Sequence, residues 1–342
     1  MEIGNQIKQL RQRRGITQET LAQQFGLTAQ AVSKWECGSA APDIELLPAL
    51  SAYFGVTIDE LFALSDDTRM ERIQNMLWDV RFLNPADVEN ERQFLLEKAA
   101  REPENGRPHE LLADLENHLS GEHQEKAAEY AKEALRRDPN LREAHASLVQ
   151  AMNGQCGDWY AANHHKLILY YQNFLTVHPD NWRGYLWLMD QLLDDCRFEE
   201  ARSCWERFAK IDHTYRTPLY EGKLHWYQGD KAAAMEIWKQ MQQDYPQEWC
   251  VWLSMGDVMA MSARYDDAKG FYRKALDTMA PPRYVDGLES IAQICELQGD
   301  IPGAIAAYEE ELALFASEWN FTTGETADVV RREITRLKNL LE

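Results

Sequence analysis

A break recurs at a nearly fixed interval through the C-terminal three quarters of the chain. It falls at Pro103, Pro139, Pro179, His213, Pro246 and Pro281, so by subtraction the intervals are 36, 40, 34, 33 and 35 residues. Self-similarity at a period of about 20 to 50 residues indicates stacked copies of one supersecondary unit, because a single unit cannot bury its apolar face alone. The sequence therefore predicts an array of about six helical hairpins over residues 88–342.

The internal pattern of one unit is clearest between Trp249 and Pro281. Small residues such as Gly256 and Ala268 recur where two helices would cross, and large aromatic residues such as Tyr272 lie between them. Similar small residues stand at Gly222 and Ala304 in the neighbouring units. We expect the small residues to let paired helices approach closely and the aromatic rings to fill the gaps between hairpins. The segment resembles tetratricopeptide repeats, specifically over residues 215–315 and more loosely over 88–214.

The last helical pattern of the chain is amphipathic and extends over about residues 325–341. It carries the apolar residues Val329, Ile334, Leu337, Leu340 and Leu341. A terminal repeat needs its outer apolar face covered, so this helix is predicted to cap the array. Contact with a partner or a second copy is the alternative.

Residues 1–64 show a different pattern, with five short helices in close succession. Thr17 and Thr28 are candidate N-caps, because a threonine hydroxyl accepts a hydrogen bond from a free backbone N–H at a helix start. Gly26 between them suits a tight turn with positive φ. The helix that follows Thr28 is predicted to end at Glu36, before Gly38.

The two sides of the helix after Thr28 differ in chemistry. At about 100° per residue, one arc holds the short or hydrogen-bonding residues and the opposite arc is apolar. A helix that packs on a domain and also reaches base edges in the major groove needs these two faces. The first arc contains Ala29, Gln30, Ser33 and Lys34, and the second contains Ala31, Val32 and Trp35.

The combined pattern of residues 3–64 resembles the phage-repressor-like helix-turn-helix family, also called Cro/repressor or XRE. The resemblance rests on Ile16, Thr17, Gln18, Glu19, Thr20, Leu21, Ala22, Gly26, Leu27, Thr28, Val32, Ser33, Lys34, Trp35, Glu36, Gly38, Pro42, Asp43, Leu46, Leu47, Leu50, Phe54, Gly55, Val56, Asp59, Glu60, Leu61 and Phe62. It implies a compact five-helix domain in which residues 17–25 position the chain on DNA and residues 28–36 form the recognition helix.

The resemblance also implies a set of DNA contacts. Gln18 and Thr28 match positions at which the family meets the phosphate backbone. Ala29, Gln30, Ser33 and Lys34 match the base-reading positions; by donor and acceptor geometry Gln30 suits adenine, Lys34 guanine or a phosphate, and Ala29 a thymine methyl. For Arg11, Arg13 and Arg14 two interpretations stay open: backbone contacts or a solvated helix end.

The net charge of −20 requires an account if the chain binds DNA. Residues 1–40 hold five basic residues (Lys8, Arg11, Arg13, Arg14, Lys34) and three acidic ones (Glu2, Glu19, Glu36), a local balance of 5 − 3 = +2. Charges act over a Debye length of about 8 Å, so DNA meets a local patch rather than the whole molecule. The acidic remainder is expected to repel DNA and weaken non-specific binding.

The sequence predicts neither an enzyme nor a metal or cofactor site. The six cysteines are scattered without a C-x-x-C pair, and the common catalytic, phosphate-loop and dinucleotide motifs are missing. We expect free thiols, no catalytic residues, no cofactor and no membrane partner. The start of the chain has no apolar segment after a basic cluster and no run long enough to cross a bilayer, so the predicted location is the cytoplasm, in association with the nucleoid.

The predicted organisation is all-α: a lambda-repressor-like DNA-binding domain over residues 1–64, a linker and connecting helix over 65–87, and a tetratricopeptide-type α-solenoid with a capping helix over 88–342. This order resembles peptide-responsive regulators of Gram-positive bacteria, which implies double-stranded DNA, a peptide or protein effector and a homodimer. Two alternatives stay open: an adaptor that the head only tethers to DNA, and a dimerisation platform without a ligand. Candidate effector contacts are Asn117, Asn153, Asn163, Asn173, Asn181, Tyr170, Tyr171, Trp187, Trp226 and Tyr227.

Overall fold

The computed structural model describes residues 2–62, 66–154 and 157–341, and every regular element in those residues is a helix. The all-α prediction is therefore confirmed. The domain boundary predicted at residue 64 and the cysteine at position 156 lie outside the described residues. None of the described helices is both long enough and apolar enough to cross a bilayer.

The head, residues 2–62, contains the five predicted α-helices. They are α1 (Glu2–Arg13), α2 (Gln18–Gln24), α3 (Ala29–Glu36), α4 (Leu47–Phe54) and α5 (Ile58–Phe62), with a short 3-10 helix at Ile44–Leu46 before α4. Their apolar faces bury a single core: Ile3, Ile7, Leu10, Leu21, Ala22, Val32, Trp35, Leu47, Leu50, Phe54 and Leu61. A glycine is needed at position 4, because a Cβ there would overlap the backbone carbonyl of Trp35.

Both predicted threonine caps of the helix-turn-helix are confirmed. Thr17 Oγ1 accepts a hydrogen bond from the backbone N–H of Thr20 at 3.1 Å, and Thr28 Oγ1 accepts one from Ala31 N–H at 3.2 Å. Gly26 has φ +66°, a conformation that costs a residue with a Cβ free energy. These local preferences place α2 and α3 at the short spacing that the motif requires.

Three helices follow the head: α6 (Asp66–Asp79), α7 (Pro85–Arg101) and α8 (Arg107–Arg137). The residues they bury together are Met70, Ile73, Phe94, Leu95 and Leu111. Asn84 caps α7 by accepting a hydrogen bond from the Ala86 N–H at 2.9 Å, and α6 falls within the linker and connecting helix predicted over residues 65–87.

The interval from Pro103 to Pro139 is not a hairpin, which corrects the prediction of a repeat there. α8 is one continuous helix of 31 residues. Gly121 lies where a turn would be required, but its φ is not positive and no cap follows it. The residues after Gly121 are rich in alanine, glutamate and lysine, which favour helix continuation.

The chain forms two compact units, Met1–Glu122 and His123–Glu342. Unit 2 begins within α8 and continues with α9 (Arg142–Ala151), α10 (Trp159–Ala162), α11 (His165–Val177), α12 (Trp182–Asp194), α13 (Phe198–Phe208), α14 (Arg216–Tyr227), α15 (Lys231–Asp244), α16 (Trp249–Met261), α17 (Tyr265–Thr278), α18 (Asp286–Leu297), α19 (Ile301–Leu314), a π-helical turn at Phe315–Trp319 and α20 (Glu325–Asn339).

Helices α12 to α19 form four consecutive antiparallel hairpins, each packed against the next. Glycine and aromatic residues fit together at the crossings as predicted: a Cβ on Gly222 would overlap the indole of Trp238, and one on Gly256 would overlap the ring of Tyr272. Equivalent residues also make equivalent bonds, since Tyr185 and Trp252 each donate to the carbonyl of a proline six residues earlier, at 3.0 and 3.1 Å.

The last helix packs against the final hairpin, as predicted, but with a different face from the one expected. α20 contacts α19 and buries Ala327, Val330, Ile334 and Leu337. Val329, Leu340 and Leu341 are exposed instead. The reason is helical phase, because Ile334, Leu337 and Val330 share one stripe that Val329 and the fraying end of the helix do not join.

Candidate nucleic-acid interface and repeat cavity

Two side chains of α3 anchor this helix in the core of the head. Val32 is fully buried and Trp35 is 5% exposed, and both belong to the core of the head. Thr28 fixes the start of the helix through its cap. Because the apolar arc is buried in this way, the opposite arc faces outward.

The outward arc of α3 contains the residues predicted to read bases. Gln30 and Lys34 are exposed, while Ala29 and Ser33 are half-buried. Thr28 is exposed at the N-terminal end of the helix, where free backbone N–H groups and the positive end of the helix dipole favour a phosphate. The arrangement provides amide, hydroxyl, methyl and ammonium groups on one exposed helical face.

The end of α3 is tied to the first two helices by Glu36. Its carboxylate accepts hydrogen bonds from Arg11 Nε at 2.5 Å and Nη2 at 3.0 Å, and from Gln18 Nε2 at 2.9 Å. Arg11 also donates to the carbonyl of Ile16 at 2.7 Å. One carboxylate therefore joins α1, α2 and α3, and it sets the position of α3 relative to Gln18.

The electrostatics of this ion pair favour the charged forms of both partners. Burial alone would raise the pKa of Glu36, but the hydrogen bonds from Arg11 and Gln18 and the charge of Arg11 hold that pKa below its ordinary value. The hydrogen bond to Glu36 raises the pKa of Arg11. The pair is largely shielded, with side-chain exposures of 12% for Arg11 and 4% for Glu36.

Arg11 makes its observed contacts within the head. Its guanidinium donates to Glu36 and to the carbonyl of Ile16, so Arg11 is not a solvated side chain, and its phosphate contact stays a prediction. Arg14 is exposed and lies over the ring of Tyr53, with its Cζ 4.8 Å from the ring centroid. Arg13 is exposed as well. Gln18 is half-buried, and one of its amide protons bonds to Glu36.

A second candidate site is a cavity of about 640 Å³ in unit 2, called here the repeat cavity. It is lined by Lys223, Trp226, Tyr227, Trp238, Ser254, Asp257, Val258, Ala260, Met261 and Tyr272. Its polar groups are partly paired: Tyr272 donates to Asp257 at 2.9 Å, and Lys223 pairs with Asp190 at 3.1 Å. Burial raises the pKa of Asp257, and the charge of Asp286 adds to that increase.

Of the candidate effector contacts, Trp226 and Tyr227 line the repeat cavity. Two of the asparagines are used by the protein itself: Asn181 caps α12 by accepting the Gly184 N–H, and Asn163 donates to the carbonyls of α10. The sequence pattern did not single out Asp257 and Met261. Both follow Gly256 on α16 and both line the repeat cavity.

In the ranges that the structure describes, no group of three or more His, Cys, Asp and Glu side chains is arranged to hold a metal ion. His164, which precedes another histidine in the sequence, is bound through Nδ1 to Asp195 at 2.7 Å.

Comparison with known proteins places the head in a family. A helix-turn-helix family model matches residues 7–61. An HTH-type transcriptional activator of Enterococcus faecalis, BcrR, is 44% identical over 63 residues, which cover 18% of this chain and 31% of BcrR. An uncharacterized HTH-type transcriptional regulator of Methanocaldococcus jannaschii is 33% identical over 63 residues, 18% of this chain and 96% of that protein. The chain belongs to the helix-turn-helix family of transcriptional regulators.

The chain covers about a third of the length of BcrR, so the similarity concerns the head. Among solved structures, a tetratricopeptide repeat protein of Parabacteroides merdae aligns over 80% of this chain and 99% of its own, at 13% identity and a TM-score of 0.40. The Bacillus thuringiensis regulator PlcR, solved with a peptide and DNA, aligns over 87% of this chain and 98% of its own, at 11% identity and a TM-score of 0.29.

Proposed function

We propose that this chain is a sequence-specific DNA-binding regulator whose repeats bind a peptide or protein effector and which acts as a homodimer. Its head inserts α3 into the major groove. Gln30, Ser33 and Lys34 contact base edges, with Ala29 against a thymine methyl, while Gln18, Thr28 and Arg14 meet the phosphates. The observation that carries this proposal is the division of α3 into a buried arc and an exposed polar arc.

The two glutamines of the head provide the sharpest test of these roles. Gln30→Ala is expected to reduce the binding free energy for the selected site by about 1–3 kcal/mol and to relax the base preference at one position, because a bidentate amide–adenine contact is lost there. Gln18→Ala is expected to weaken binding to all sequences alike, because a phosphate contact carries no base information. The measurement is selection of sites from random DNA, followed by affinities for every single-base variant of the selected site.

Gln12→Ala is the matched control, since Gln12 is an exposed glutamine of α1 outside the proposed contact set. It should leave both the selected sequence and the affinity unchanged. If Gln30→Ala and Gln18→Ala lower affinity equally for the selected and random DNA, the division into base-reading and phosphate-binding residues is wrong.

For the repeats, the effector function is supported by the size and chemistry of the repeat cavity. Its volume of about 640 Å³ falls within the range of about 300 to 1,000 Å³ that is usual for ligand sites, and aromatic rings and a few polar groups line it. An extended peptide segment suits such a surface, because hairpin arrays present continuous grooves.

The second candidate function is an adaptor that holds a folded protein. Its support is the exposed apolar surface of α9 to α11, where Trp159 and Tyr160 are 79% and 78% exposed. Two kinds of ligand separate these functions in calorimetry: short peptides, and folded proteins that were first purified by affinity for the full chain. Saturable binding of a peptide supports the effector function. Binding of a folded protein but of no peptide supports the adaptor. If neither binds and the chain still dimerises, the repeats serve as a dimerisation platform.

A further inference from the structure

Three carboxylates lie at the same end of the last repeat hairpin: Asp286 and Glu289 in the first turn of α18, and Glu311 in the last turn of α19, which packs against it. They are called here the acidic cluster. Glu311 is only 4% exposed, and its Oε2 is buried without a hydrogen-bond partner. Buried carboxylates are normally hydrogen-bonded or paired with a cation, because leaving one without a partner is destabilising. A group of this kind indicates a role other than stabilising the fold.

The surroundings of Glu311 add negative charge. Burial raises its pKa to about 8, and the charges of Glu289 and Asp286 act in the same direction. Asp286 and Glu289 are exposed; Glu289 accepts one hydrogen bond, from Gln293 Nε2 at 3.3 Å. Among the described residues, no lysine, arginine or histidine forms an ion pair with any member of the acidic cluster.

The cations of the neighbouring helices are held by other carboxylates. On α20, Arg336 is shared between Glu296 at 2.7 Å and Glu333 at 2.8 Å. On α14, Lys223 pairs with Asp190. Neither of these two cations forms an ion pair with the acidic cluster.

The acidic cluster adjoins the repeat cavity. Asp257 and Tyr272 line that cavity. The residue after Asp286 packs beside them, because a Cβ on Gly287 would lie 3.5 Å from the carbonyl oxygen of Tyr272 and 3.7 Å from the side chain of Leu253 on α16. The same cavity presents Trp226, Val258 and Met261. An anionic site and an apolar, aromatic pocket thus lie side by side on α14, α16 and α18.

We propose that this face of unit 2 binds a ligand with a primary ammonium or guanidinium group, held by Asp286, Glu289 and Glu311, and an apolar part that enters the repeat cavity. This inference rests on the effector function proposed above and defines the chemistry of the effector. A lysine or arginine side chain next to an apolar residue in a short peptide fits both halves of the site. A free polyamine carries the same cation.

The test uses the full chain and libraries of acetylated, amidated heptapeptides in which one position at a time is defined. The wild-type chain should prefer Lys or Arg to Gln at one position by about tenfold, because a charge-assisted contact replaces a neutral one. A neighbouring position should prefer Leu or Phe to Ser. Spermidine is added as a competitor; displacement of the peptides by equimolar spermidine identifies a free polyamine as the better cation.

Two variants connect that preference to the acidic cluster. Glu311→Gln keeps the shape of the side chain but cannot ionise when a cation binds beside it. Asp286→Asn removes a carboxylate at an exposed position. Both should abolish the preference for Lys or Arg while retaining the preference for an apolar neighbour. Glu199→Gln, an exposed carboxylate on α13, is the matched control and should leave both preferences intact. Thermal denaturation verifies folding.

The outcomes distinguish failure of this inference from failure of the effector function on which it rests. Peptide binding with no preference for a cation, or with a preference that survives in both variants, overturns the inference and leaves the effector function standing. If the wild-type chain binds neither the peptides nor spermidine, the effector function fails and the inference fails with it.

Discussion

At the scale of single residues, Glu36 has the most consequences for the head. It is the last residue of α3, yet its carboxylate binds Arg11 on α1 and Gln18 on α2. The proposed phosphate contact by Gln18 and the proposed base contacts of α3 are therefore held in register by one side chain. In the proposed complex with DNA, a carboxylate that itself contacts no DNA thus positions the residues that do.

The lowered pKa of Glu36 predicts an acid-sensitive head. A carboxyl whose pKa is lower in the folded than in the unfolded state contributes stability above its unfolded value, and that contribution is lost as pH falls through the folded value. Between about pH 5 and pH 3, amides of residues 29–36 should lose protection in hydrogen–deuterium exchange, after correction for intrinsic rates. Glu36→Gln should lower protection at pH 7 and flatten this pH dependence.

Glu19→Gln is the control for that experiment, because Glu19 is an exposed carboxylate of α2 outside the ion pair. It should reproduce the wild-type profile. A wild-type profile that is flat below pH 5, or an equal pH dependence in Glu36→Gln, would contradict the stabilising role of the pair.

At the scale of elements, the hairpins depend on matched pairs of a small and a large residue. Gly256 on α16 faces the ring of Tyr272 on α17, and Gly222 on α14 faces Trp238 on α15. Trp238 is fully buried and donates to the Leu219 carbonyl at 3.0 Å, so it has no freedom to move aside. The distance between the two helices of each of these two hairpins is set by such a pair.

Replacing two glycines of the same hairpin with alanine should change the free energy of unfolding in opposite directions. Gly256→Ala forces a methyl group into the Tyr272 ring and should lower the free energy of unfolding by about 1–3 kcal/mol. Gly270→Ala, on α17, meets open space and should raise it by up to about 1 kcal/mol, because alanine favours helix. Urea denaturation monitored by circular dichroism measures both; a neutral or stabilising Gly256→Ala would show that the hairpin relaxes around the contact.

At the scale of the whole molecule, the charge is unevenly distributed. The chain carries −20 overall, yet residues 1–40 carry +2. DNA affinity that comes from few phosphate contacts is modest and depends weakly on salt. The proposed homodimer would compensate for this, because two heads that bind adjacent half-sites add their contacts.

The proposed homodimer predicts a defined geometry on DNA. Footprinting should reveal two half-sites whose centres lie about one helical turn apart, or a multiple of it. Inserting about five base pairs between them should sharply reduce affinity, whereas inserting about ten should restore much of it. Sedimentation of the full chain with and without DNA supplies the stoichiometry. One chain bound to one isolated half-site, with no effect of spacing, would contradict the dimer.

Much of the fold follows from local pattern. The threonine caps of α2 and α3, the two faces of α3 and the breaks between helices are properties of residues close in the chain, which side-chain hydrogen bonding and helical periodicity determine. The break pattern also overpredicted: it implied a hairpin between Pro103 and Pro139, where α8 runs unbroken. A proline interval marks only where a helix ends, while a turn inside the interval requires its own glycine conformation or cap.

The sequence by itself determined the helices, the approximate repeat and the outward arc of α3, because these depend on neighbours within a few positions. Only the tertiary structure decided the partners of charged side chains. It bound Arg11 to Glu36, 25 residues away, and left Glu311 buried without a partner beside Glu289. Burial and pairing of charge depend on which distant helices meet, and no local pattern contains that information.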